Sequence, residues 1–184
     1  MTTAAASIIR YAGFFRQSRA ETVLDYGAGT LRNALYLTQQ YGFRVYAADL
    51  PEQVEIQRGR PDARQLAGLL EVGELEQSRL GVDLVLSTYV FNIIMENEEQ
   101  RRYLQNVVGN LRRGGYLLME VRCRQQETEC SPSCSHHFKC GNCAKTFTHE
   151  ELDSLITPYG FRRISHYYRQ HSVAAMYQRV GGPE

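Results

Sequence analysis

The spacing of apolar residues changes period repeatedly along this chain. Glu21-Thr-Val-Leu is a short apolar strand that runs through Asp25 into a glycine turn. Beyond the turn, apolar residues at Leu31, Ala34, Leu35 and, less tightly spaced, Leu37 follow a helical spacing closed by Gly42. Phe43 to Asp49 then returns to a strand pattern and is stopped by Pro51. This is one βαβ unit. Residues 52 to 81 are polar and helix-prone, with a weak third strand near Gln65 to Leu70, and Val82 to Thr88 is a clear buried strand.

Asn97 to Leu111 has helical composition, and the Arg112-Arg-Gly-Gly115 turn feeds a strand over Tyr116 to Val121. Thr148, followed three residues later by Glu151, predicts a helix start by a reciprocal cap. Phe161 to Tyr168 and Val173 to Val180 form an antiparallel pair around Gln170-His171-Ser172. Ala4 to Phe15 reads as an amino-terminal helix that either folds over a cofactor or simply packs. Alternating strands and helices ending in two tightly joined strands predict an α/β fold: an open, mostly parallel sheet with an antiparallel last strand and helices on both faces.

The 184 residues suit one domain spanning 1–184. Lys+Arg 21 against Asp+Glu 20 gives +1, which argues against a broad basic surface for nucleic acid or anionic lipid. The only lysines are Lys139 and Lys145, so an anion site would be built from arginine forks. The amino terminus lacks the charged start and apolar run of a signal peptide. No stretch approaches the ~18 apolar residues of a membrane span. The expectation is a cytoplasmic protein without a membrane partner.

A glycine loop between a first strand and helix lets a ligand approach the backbone, and helix amides face it. Asp49 lies 20 residues beyond Gly29, where a carboxylate can accept ribose hydroxyls. A dinucleotide site wants a third glycine to seat a pyrophosphate, and Gly27-Ala-Gly29-Thr-Leu-Arg lacks it. Asp25 would repel a pyrophosphate but suits an ammonium, which favours S-adenosylmethionine over a nicotinamide cofactor.

Val23-Leu-Asp25-Tyr-Gly27-Ala-Gly29-Thr resembles the first motif of class I S-adenosylmethionine-dependent methyltransferases. Asp49 matches that family's ribose-binding acid, Val82 to Thr88 its fourth strand, and Arg112-Arg-Gly-Gly-Tyr-Leu-Leu-Met-Glu120 its turn and fifth strand, with arginine in place of proline. The resemblance covers roughly residues 20 to 180. It implies a Rossmann-like sheet and transfer of a methyl group from a sulfonium. It also implies a cofactor site at Asp25, Gly27, Ala28, Gly29, Asp49, Leu50 and Thr88.

Ligands of such sheets sit beyond the carboxyl ends of the strands. Tyr89 and Asn92 are therefore the candidate catalytic residues, with Arg122, Cys123 and Arg124 facing the acceptor. The Asp/Asn-Pro-Pro-Tyr/Phe motif of amino-methyltransferases is absent, which removes support for adenine or cytosine amino-methylation. A small molecule and a nucleic acid remain as acceptor classes, with protein behind them, and the oligomeric state is open.

All five cysteines fall within 21 residues. Cys130, Cys134, Cys140 and Cys143 offer four thiolates, the last pair spaced as a metal knuckle, and such a set favours a closed, structural zinc. His136 and His137 lie among them as substitutes, while Cys123 reads as a simple buried thiol. The expectation is a zinc-stapled insertion over 123–147 that shapes the acceptor entrance. The rival reading is a methyltransferase-like binding module that performs no transfer and uses the knuckle to hold nucleic acid or protein.

Overall fold

The computed structural model describes residues 3–123 and 144–181. Seven strands, β1 (Thr22–Tyr26), β2 (Arg44–Asp49), β3 (Gly68–Glu71), β4 (Val82–Thr88), β5 (Leu111–Arg122), β6 (Phe161–Arg169) and β7 (Ser172–Arg179), form one sheet. Six helices accompany them: α1 (Ala6–Gln17), α2 (Arg32–Tyr41), α3 (Pro51–Arg58), α4 (Val72–Gln77), α5 (Asn97–Asn110) and α6 (His149–Ile156). Strand order is β3-β2-β1-β4-β5-β7-β6. Pairings from β3 to β5 are parallel, and β7 runs antiparallel to both β5 and β6. The antiparallel last strand is as expected, although it inserts one place in from the edge, which β6 occupies.

The period of two places Val23 and Asp25 on one face and Leu24 and Tyr26 on the other. On the first face, Ile8, Ala12 and Phe15 of α1 and Leu31, Ala34 and Leu37 cover Val23, Val45, Leu84, Leu86 and Met176. On the second, Leu75, Tyr103, Leu104, Val107, Leu152 and Ile156 cover Leu24, Val85, Leu117, Met119 and Tyr177. Each fully buried Leu, Val or Phe is worth roughly 1.5–3 kcal/mol, so burying both faces is what holds the sheet.

The Arg112–Gly115 turn lies within β5 as a bulge. Val82 pairs with Leu111 and Leu84 already with Tyr116, so the intervening residues loop out, with Gly114 at φ 77°. Asp83 secures this amino-terminal rim by accepting from the Glu21 and Thr22 amides and from Arg112. Burial pushes its carboxyl up, but these donors outweigh it and hold it at about 2. The third strand begins at Gly68, later than the pattern placed it. The reciprocal cap of Thr148 and Glu151 forms as predicted, at 2.8 and 3.2 Å. Among the described residues, no helix is long and apolar enough to cross a membrane.

Candidate active site

At the carboxyl ends of β1 and β2 the chain turns through Gly27 (φ 83°) and Gly29 (φ 51°), a backbone region open chiefly to glycine. At Gly27 a Cβ would lie 2.2 Å from Val90 Cγ2, so the loop following β4 packs directly on the glycine turn. Asp49 closes the loop from the end of β2: its Oδ2 accepts from the Gly29 amide at 2.6 Å and its Oδ1 from the Leu50 amide at 2.9 Å. Each oxygen keeps a further lone pair for a ligand hydroxyl.

Helix α3 and the segment after it hold the same loop from the other side. Gln53 and Gln57 donate side-chain amides to the Gly29 carbonyl at 2.9 and 2.8 Å, and Arg60 donates to the Thr30 carbonyl at 3.0 Å. The loop is thereby fixed before any ligand arrives. These three residues were not singled out in the sequence because the polar run after Pro51 has no motif of its own.

A cavity of about 670 Å³ opens beside this loop, lined by Gly27, Gly29, Asp49, Leu50, Thr88 and Tyr89 among others. Leu50 is 60% exposed, an apolar side chain left open where a flat ring would cover it. Val72, at the start of α4 after β3, adds a second apolar wall. It escaped the sequence reading because the third strand had no clear register. The Glu71 and Glu74 pair, which forms a reciprocal cap at 2.6 Å for the Glu71 amide, was the signal that locates the start of α4.

Asp25 lies beneath the loop with no exposure, and neither of its oxygens has a hydrogen-bond partner among the described residues. Burial raises its carboxyl to about 7, partly offset by the Ala34 backbone; Asp49 raises it further and Arg32 lowers it. Asp25 and Ala28 line neither this cavity nor the next one. Asn92 is likewise buried and lines neither cavity, and its Oδ1 has no described partner. Its backbone carbonyl accepts from the Lys145 amide at 2.7 Å.

Tyr89 behaves differently. It holds φ 60°, is 37% exposed and lines both the cavity above and a second one of about 790 Å³. The second cavity lies over the ends of β5 and β7 and is roofed by residues at the start of α1, including Ala4, Ala5 and Ile9. The amino-terminal helix packs through Phe15, and its start borders this second cavity rather than the cavity beside the glycine loop. Asn33 anchors that roof: its Oδ1 accepts from the Ala5 amide at 2.9 Å while its Nδ2 donates to Thr88 Oγ1 at 3.0 Å.

Arg32, Arg122, Arg169 and His171 also line the second cavity, and Glu120 is the only carboxylate among its described lining residues. Glu120 is almost fully buried. It accepts hydroxyl bonds from Ser7, from Tyr89 at 2.8 Å and from Ser172 at 3.3 Å. Cys123 lines the cavity partly exposed, and burial raises its thiol.

The four cysteines Cys130, Cys134, Cys140 and Cys143, together with Arg124, His136 and His137, lie outside the described residues. Among the described residues no group of three or more His, Cys, Asp or Glu is placed to hold a metal ion.

The residues present fit S-adenosylmethionine. A buried carboxylate without a hydrogen-bond partner among the described residues lies below a glycine turn, an acid with free lone pairs closes that turn, and two apolar walls flank the adjoining cavity.

A search of curated proteins finds no match. Among solved structures the chain is similar to the 1,6-didemethyltoxoflavin-N1-methyltransferase of Burkholderia thailandensis, with bound 1,6-didemethyltoxoflavin and S-adenosylhomocysteine: TM-score 0.68, 18% identity, 96% of this chain and 79% of that one. An O-methyltransferase family protein from the same organism aligns with TM-score 0.72 at 16% identity, over 96% of this chain and 56% of that one. TehB from Haemophilus influenzae aligns with TM-score 0.70 at 16% identity, over 97% and 63%. At these identities the likeness speaks for the fold. The family model described as a methyltransferase domain matches residues 1–181. The chain thus belongs to the methyltransferase domain family of S-adenosylmethionine-dependent enzymes.

Proposed function

We propose that this enzyme methylates a small molecule held in the cavity over the ends of β5 and β7. The observation that carries the reading is the position of Tyr89, one side chain lining both the cavity beside the glycine loop and the cavity beneath α1. A methyl donor in the first and an acceptor in the second would meet at that residue. The second cavity is roofed by α1, which suits a molecule of metabolite size better than a polynucleotide strand. A structural neighbour named for a small-molecule acceptor, with that acceptor and cofactor product bound, agrees with the choice.

When bound, S-adenosylmethionine supplies an electrophilic methyl group on a sulfonium. The chain's own part is positioning and exclusion of water. Asp49 would accept the ribose hydroxyls while Leu50 and Val72 cover the adenine. Asp25, whose carboxyl burial raises to about 7, would gain a nearby cation from the methionine end, which favours its ionised form. Gln53 and Gln57 keep the Gly29 backbone in place, so little ordering entropy is spent when the cofactor binds.

We retain the zinc reading on sequence spacing alone, with Cys130, Cys134, Cys140 and Cys143 as ligands. The test of function is to incubate the enzyme with methyl-tritiated S-adenosylmethionine and a fractionated cell extract. Label in the low-mass fraction is expected. Label in RNA or DNA would overturn the small-molecule reading, and label in no fraction would favour the non-catalytic binding module.

A further inference from the structure

Glu120 stands out as a carboxylate at the end of β5 that the family motif did not mark. It joins α1, the post-β4 loop and β7 through Ser7, Tyr89 and Ser172. Three hydroxyl donors from three different elements fix the position of this buried carboxylate. A carboxylate has about four lone-pair positions, so with three described donors one position stays open, on a residue that lines the acceptor cavity. Arg32 and Arg169 line the same cavity, against this single described carboxylate. Among its described lining residues the cavity therefore offers one carboxylate and more than one cationic side chain.

We infer that the acceptor is a small anionic molecule whose methylated atom is a protic oxygen or nitrogen, with Glu120 receiving the proton from that atom. This rests on the assignment of the cavity to the acceptor. In the step, a lone pair of the acceptor atom forms the bond to the methyl carbon. The carbon–sulfur bond breaks with its electron pair left on sulfur, and the acceptor's proton passes to the open position on Glu120. The proton leaves to water after the product departs. Arg169, at the end of β6 and well exposed, holds the anionic group of the acceptor, a role suited to a planar fork that binds carboxylate in two-point fashion. Tyr89 is a positioning residue here, since its hydroxyl fixes the Glu120 carboxylate while the residue lines both cavities.

The test uses the full chain saturated with S-adenosylhomocysteine and three probes in calorimetry: 4-hydroxybenzoate, benzoate and 4-hydroxybenzamide. Saturation itself is measured first, so failure of the cofactor assignment is seen separately as absence of that binding. 4-Hydroxybenzoate should bind about tenfold more tightly than either probe lacking one group, the gain expected of one charge-assisted hydrogen bond. Glu120→Gln should remove the hydroxyl advantage and leave that of the carboxylate, whereas Arg169→Gln should do the reverse. If Glu120→Gln does not fold, Ser172→Ala serves instead. It removes one competing donor, and the affinity for 4-hydroxybenzoate should rise a few-fold. Equal affinities for the three probes, or a hydroxyl advantage that survives Glu120→Gln, would overturn the inference, as would no change in Ser172→Ala.

Discussion

Replacing Asp25 by Asn keeps the shape of the side chain and removes its charge, so it isolates what burying that carboxylate costs. The folded protein holds the Asp25 proton up to about pH 7, whereas the unfolded chain releases it near the ordinary carboxylate value. Between these two values the folded state binds the extra proton, so stability falls as pH rises, and the whole penalty is present above pH 7. Asn does not titrate. The stability of Asp25→Asn relative to wild type should therefore improve by about 3 kcal/mol on going from pH 5 to pH 8.

For a chain of this size that corresponds to roughly 6–12 °C in Tm. Taking the difference between the two proteins cancels other groups, including Asp83, whose carboxyl is held at about 2, and His166, whose ring is lowered by burial and by His149 and Arg163. The assay is thermal or urea unfolding of both ligand-free proteins at pH 5, 6, 7 and 8. A Tm difference that does not change with pH would refute the reasoning. The same variant should bind S-adenosylhomocysteine roughly ten- to a hundredfold more weakly at pH 8, since the ammonium loses a charged partner.

Three further outcomes follow from the same geometry. Gly27→Ala places a methyl 2.2 Å from Val90 Cγ2 at a φ of 83°, so it should cost about 2–4 kcal/mol in urea unfolding, with partial recovery when Val90→Ala is added. Asp49→Ala frees the Gly29 and Leu50 amides and should weaken S-adenosylhomocysteine binding by about a hundredfold in calorimetry while leaving the far-ultraviolet dichroism intact. The purified full chain should contain about one zinc per molecule by elemental analysis, and Cys140→Ser with Cys143→Ser should lose it.

The sheet was legible because its strands are short apolar runs separated by turn residues, and because Asp25, Gly27, Gly29 and Asp49 keep a spacing that only one turn geometry needs. The third strand was misplaced because all of Gly68–Glu71 is only partly buried, which leaves its sequence without a clean apolar signature. At the site, local signals marked the glycine loop, Tyr89 and Asn92 alike, but not that Tyr89 lines the cavities while Asn92 is buried. Glu120 was hidden for a different reason. Its three hydroxyl partners come from positions 7, 89 and 172, and no local pattern announces contacts across such separations. The stacked pair His149 and His166, with ring centroids 3.8 Å apart, was invisible for the same cause.

The central claim is that the cavity beside Gly27, Gly29 and Asp49 is a S-adenosylmethionine site. Titrating the full chain with S-adenosylhomocysteine, and separately with NAD, in a calorimeter tests it most directly. One saturable site for S-adenosylhomocysteine and no heat from NAD is the predicted result. Saturable binding of NAD with none of S-adenosylhomocysteine would contradict it.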